Sequence, residues 1–97
     1  MDNHINLVKL CVGAERVDDL IAWQDQRRAA GHPTRHVTRM WPKRAAELLD
    51  GGSLYWVFKG VILARQRILA LDEVTGDDGI RRCGIGLDPK VIRTEAM

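Results

Sequence analysis

Apolar and polar positions fall into short alternating runs, broken by glycine, proline and aspartate, with one stretch of helical period. Residues 5–12 are mostly apolar and predict a first strand of imperfect alternation, carrying Leu7 and Leu10 and ended by Gly13. Over residues 14–30 the period changes. Val17, Leu20, Ile21 and Gln24 follow the i, i+3, i+4, i+7 spacing of one helix face, with Trp23 at its edge. Glu15, Asp18 and Asp19 lie near the start and Arg27 and Arg28 near the end, the arrangement the helix dipole favours. Gly31 suits the position just past the last turn, and Pro33 prevents continuation.

The segment from Arg35 to Trp41 predicts a second, weaker strand, and Pro42 suits the first turn of a second helix whose stripe is Ala45, Leu48 and Leu49. Asp50-Gly51-Gly52 stops it. From Ser53 to Lys59 a third strand places Leu54, Trp56 and Phe58 on one face and Tyr55, Val57 and Lys59 on the other. Gly60 breaks or bulges it. Residues 61–74 form a long fourth strand, Gly76-Asp77-Asp78-Gly79 is a hairpin signal, and residues 80–87 form a fifth. Val91-Ile92 adds a short last strand after the turn at Asp88-Pro89. The order β-α-β-α-β-β-β predicts a single α+β domain spanning 1–97. Its sheet is expected to be curved, mixed or mostly antiparallel, or a small partly open barrel, with two flanking helices. Bulges or bends are expected at Gly60, Gly84 and Gly86.

Two cations interrupt the fourth strand. Strict alternation puts Arg65 and Arg67 on one face with Val61, Leu63, Leu69 and Leu71. Two guanidinium groups on an apolar face cannot stay unpaired in a core, because a lone buried charge costs several kcal/mol. Either carboxylates such as Glu47 or Asp72 meet them, or that face opens to an anion.

Overall charge says little, since 15 Lys and Arg against 13 Asp and Glu leave only +2. Its distribution says more: residues 1–30 carry −1, residues 31–67 carry +5 and residues 68–97 carry −2. A basic middle third argues for an anionic partner, or for a solvated basic face. The start is polar and acidic, and no segment approaches the ~20 apolar residues of a membrane span, so we expect no signal peptide, no membrane association and a cytoplasmic location. Cys11 and Cys83 lie in apolar stretches and read as reduced, buried residues.

Candidate chemistry is sparse. Gly51-Gly52-Ser53 resembles a small phosphate nest but lacks a P-loop's Gly-Lys-Ser/Thr, and a helix stop followed by a tight turn explains it more simply. His32 and His36 are separated by Pro33 and cannot share a helix face, and the two cysteines are far apart, so neither a metal site nor any other cofactor is expected. Cys11 or Ser53 with His36 has no supporting spacing as a nucleophile pair. Asp72, Glu73, Asp77 and Asp78 read as a solvated hairpin. The better constellation is basic and aromatic: Arg39, Trp41, Lys43, Tyr55, Lys59, Arg65 and Arg67 as candidate nucleic-acid or anion contacts. Rings stack bases and cations neutralise phosphates.

Three stretches, RHVTRMWPKR over 35–44, LLDGGSLYWV over 48–57 and ARQRIL over 64–69, resemble a bacterial family known only as a domain of unknown function, over about residues 6–95. Its members extend further at the C-terminus, which implies a final element beyond the last one here. The resemblance implies no activity. A looser one, carried by a helix ending in glycine and a following run of basic strands, is to the PUA-like group with its ASCH and EVE domains. That group implies a small curved barrel that binds RNA or modified bases. The ASCH signature is absent, since Gly52 is followed by Ser53-Leu54-Tyr55-Trp56, so no catalytic residue carries over.

These readings converge on a non-catalytic module binding RNA or a modified base. The alternatives are a protein–protein or regulatory module with a protein partner, and a small enzyme acting on a nucleotide-like anion in a pocket where an acid faces the arginines. The pattern does not specify an oligomeric state.

Overall fold

In a computed structural model, which describes residues 5–95, the chain is an α+β half-barrel with the predicted element order. It runs β1 (Leu7–Leu10), α1 (Val17–Ala29), β2 (Arg35–Thr38), α2 (Ala45–Leu49), β3 (Ser53–Phe58), β4 (Val61–Thr75), β5 (Arg81–Leu87) and β6 (Ile92–Arg93). The sheet order is β1-β3-β4-β5-β2, with β6 beside the first part of β4. Among the described residues, only β1 and β3 run parallel; every other pair is antiparallel. The sheet curls strongly enough that His36, on the edge strand β2, meets Trp56 on β3 edge-on, with ring centroids 5.4 Å apart. Two strands separate β2 from β3 in the sheet, so that contact spans the inside of the curl.

The core lies on the concave side. Leu54, Trp56 and Phe58 of β3, Ala64 and Ile68 of β4, and Cys83, Ile85 and Leu87 of β5 are all buried there. Helix α1 closes over them with Val17, Leu20 and Gln24, the face its spacing predicts, while Trp23 stays half-exposed. The Asp19 carboxylate accepts the backbone N–H groups of Glu15 and Arg16, which caps the first turn. Helix α2 is shorter than Pro42 suggests: it begins only at Ala45, and of its stripe Leu48 is buried and Leu49 exposed.

Strand β4 departs from strict alternation twice. Trp56 lies opposite Ala64 and Val57 opposite Ile62, so Leu63 is an extra residue in β4. Likewise Ile68 lies opposite Leu87 and Ala70 opposite Gly86, which leaves Leu69 extra. Each added residue reverses which side chains face inward. The bulges therefore fall at these two leucines, not at the glycines. Gly60 instead forms a two-residue turn with Lys59, both at positive φ (83° and 50°), between the paired residues Phe58 and Val61. Gly84 and Gly86 serve close approach: a Cβ on Gly84 would lie 2.9 Å from the Val74 side chain, and one on Gly86 3.3 Å from Ala70 Cβ. Two more predicted limits move. Strand β2 stops at Thr38, leaving Trp41 outside it, and β1 covers only the middle of its apolar run.

Among the described residues, no helix is long and apolar enough to cross a membrane.

Candidate functional site

The bulges decide where the two arginines go. Between them, Ala64, Gln66 and Ile68 point into the core, and Arg65 and Arg67 point to the convex side. Leu71, which simple alternation groups with the arginines, lies beyond the second bulge, pairs with Ile85 and packs on the core. The two charges thus occupy the open outer face, half-buried and exposed respectively, and neither has a carboxylate partner among the described residues. Tyr55 is the direct cross-strand neighbour of Arg65, and Ser53 that of Arg67. Further round the same face, Arg35 reaches across the Gly84 backbone, its Cδ 3.5 Å from where a Cβ would stand.

The polar residue that this strand does bury is Gln66, which the alternation argument passed over. Its side-chain amide exchanges two hydrogen bonds with Gln24 of α1, at 2.9 and 2.8 Å. Its Oε1 also accepts the Trp56 indole N–H at 2.9 Å, and its Nε2 donates to the Asp88 carbonyl at 3.0 Å. Every polar atom of Gln66 is used, so the group is structural. The signal was present in the sequence, since Gln24 sits on the apolar face of α1 and Gln66 in an apolar run.

The other predicted site residues lie elsewhere. Lys59 occupies the β3–β4 turn and faces Glu15 at 3.6 Å; both are largely exposed, so the pair contributes little. Arg39, Trp41 and Lys43 lie together in the segment between β2 and α2. Arg81 stacks over the Trp41 ring, 4.4 Å from its centroid, and Glu73 holds that guanidinium at 2.6 Å. One face of Trp41 is therefore already taken. The predicted cluster divides into a convex group (Tyr55, Arg65, Arg67), a group between β2 and α2 (Arg39, Trp41, Lys43) and the turn residue Lys59.

Two cavities lie on the concave side, and none of the predicted arginines lines them. Helix α1 does not fill the gap between the edge strands β1 and β2. A cavity of about 380 Å³ lies there against Cys11, Leu20, Trp23, His36 and Trp56, and a second of about 240 Å³ against Leu7, Lys9, Thr38, Trp41 and Lys43. Burial, with the nearby Lys9 charge, lowers the His36 pKa and keeps its ring neutral. Burial and the Asp19 charge raise that of Cys11, which stays a thiol. A neutral imidazole beside a protonated thiol is not the ion pair a cysteine nucleophile needs.

The glycine-rich turn before β3 resolves as a helix stop. The Gly52 N–H donates to the Leu48 carbonyl and the Ser53 N–H to Asn6 Oδ1, both at 2.9 Å, so neither is free for a phosphate. A Cβ on Gly52 would lie 2.4 Å from the Ile5 and Leu48 carbonyl oxygens, which explains the glycine by close approach alone.

Over residues 7–97 the chain matches the model of DUF1489, a family described as proteins of unknown function, and it belongs to that family. No curated protein and no solved structure matches it.

Proposed function

We propose, from the convex face of its sheet, that this protein is a non-catalytic module that binds single-stranded RNA. The observation that carries the reading is the pair of unpartnered guanidinium groups, Arg65 and Arg67, on an open sheet face with Tyr55 alongside. Alternate residues of a strand stand roughly 7 Å apart, a repeat that suits successive phosphates of an extended strand of nucleic acid. Tyr55 offers a ring for stacking beside those charges. Arg35, which reaches across Gly84 on the same face, adds a further cation beside the pair.

Fluorescence anisotropy with a short labelled RNA tests this. Affinity should fall steeply with salt, and Arg65→Ala/Arg67→Ala should lower the logarithmic salt slope by about 1.4, from roughly 0.7 per lost phosphate contact. Unchanged affinity in a folded double variant would sink the assignment.

A second reading has its own observation. Val8 and Leu10 are exposed on the same face of edge strand β1, next to Tyr55 and Val57, a surface that a protein partner would cover. A pull-down that recovers one stoichiometric protein and survives nuclease treatment would favour it.

A further inference from the structure

The slot between β1 and β2 has no part in the convex-face reading. Lys9 stands directly before Cys11 on the inward face of β1, and His36 directly before Thr38 on that of β2. Cys11 and His36 line the larger cavity, and Lys9 and Thr38 the smaller. The two cavities therefore follow one another along a single cleft between the edges of the half-barrel. Its two ends differ in chemistry.

The larger chamber is walled by aromatic and aliphatic groups. Trp56 closes one side, and its indole N–H is already spent on Gln66, so it offers the cavity only apolar surface. His36 stands edge-on to that ring and is neutral. Large apolar side chains stay exposed at this cleft: Val12 (90%) and Trp23 (51%) at the larger chamber and Met40 (76%) at the smaller. Three of the eight large exposed apolar residues described in the protein thus gather at one opening. Scattered single residues of this kind need no explanation, but a group around a cavity marks a binding surface.

The smaller chamber adds charge. Lys9 is half-buried on its wall and Lys43 is exposed at its rim, and neither has a carboxylate partner among the described residues. The acidic group at the cleft, Asp19, lines the opposite chamber and is committed to the cap of α1. A lysine lining a cavity with no carboxylate partner favours an anion there.

We infer that this cleft binds a small planar anion, an aromatic or heteroaromatic ring with one carboxylate, sulfonate or phosphate group. The ring lies in the chamber walled by Trp56, His36 and Leu20, and the anionic group reaches Lys9 with Lys43 at the rim. The site lies on the concave side, so it is independent of Arg65 and Arg67.

Two dyes provide the test: anilinonaphthalene sulfonate, a flat ring system with one anionic group, and phenylnaphthylamine, the same rings without the charge. The sulfonate should bind the folded protein saturably at one site. Its backbone-amide shifts should concentrate at residues 9–14, 36–38 and 41–43, leaving Tyr55, Arg65 and Arg67 in place. Lys9→Gln should weaken the sulfonate about tenfold, the size of a lost charge-assisted contact, and leave phenylnaphthylamine unchanged. Lys43→Gln, at an exposed position, gives a smaller loss of the same kind and serves if the Lys9 variant is unstable. The Arg65→Ala/Arg67→Ala variant should bind the dye as the parent does, so failure on the RNA side leaves this result standing. Shifts on the convex face, dye binding that is not saturable, or equal sulfonate affinity in both lysine variants would each overturn the inference.

Discussion

At the scale of the residue, Gln66 and its neighbours Arg65 and Arg67 show how position on a strand sets the role of a polar group. Gln66 is fully buried, and its bonds tie β4 to α1, to β3 through Trp56 and to the backbone at Asp88. Replacing it with leucine keeps the volume but strands the Gln24 amide and the Trp56 indole N–H in the core. Gln66→Leu should therefore destabilise the fold by about 2–4 kcal/mol, read from chemical denaturation. A stability equal to the parent's would mean that the network is dispensable. Gln24→Leu/Gln66→Leu should recover part of the loss, because the reciprocal amide pair is then removed together. Arg65 and Arg67, one position to either side, face outward and leave the core without loss.

At the scale of the element, the chain shows both what periodicity can reveal and where it stops. The stripe Val17, Leu20, Gln24 and the trio Leu54, Trp56, Phe58 are buried as their spacing requires, because a helix face and an unbroken strand keep one phase throughout. Strand β4 loses its phase at Leu63 and again at Leu69, and no local property of a leucine announces an extra residue. This is why the arginine pair was legible as an anomaly but its face was not. Trp41 was legible as an aromatic at a junction; that Arg81, 40 residues on, would cover it was not. The β4–β5 hairpin, by contrast, was written in Gly76-Asp77-Asp78-Gly79. There the Asp78 carboxylate accepts hydrogen bonds from Arg82 and from the Ile80 N–H, which pull its pKa down from 3.8 to about 2. Asp78 binds its proton more weakly in the folded chain than in the unfolded one. Its contribution to stability is thus present above pH 3.8 and lost as the pH falls towards 2. Asp78→Asn should flatten the acid limb of the stability profile across that window, measured by thermal melts in a pH series. A limb of unchanged steepness would show that other carboxylates set it.

At the scale of the molecule, one long curled sheet presents two surfaces, one on each side. The convex face carries charge on a rigid central strand, and the concave cleft lies between the two edge strands. Edges are where a sheet opens first. β1 is four residues long, has a neighbour on one side only and leaves Val8 and Leu10 uncovered on its outer face. Its amides should exchange with solvent faster than those of β3 and β4 by native-state hydrogen exchange, and equal protection across the three strands would refute this order. A molecule seated in the cleft would slow exchange in β1 in particular.

The parallel pairing of β1 with β3 also bears on how the protein is made. Leu7 stands opposite Leu54, 47 residues later in the chain. At typical rates of synthesis the ribosome needs roughly 2–10 s to travel that distance. For that interval the apolar segment around β1 has emerged with no strand to receive it, although α1 and β2 have already followed. β3 and β4 can form their tight Lys59–Gly60 hairpin at once, from neighbouring residues. Of this pair, the strand that leaves the ribosome earlier is thus the one that must wait, and until β1 docks its apolar side chains are open to aggregation.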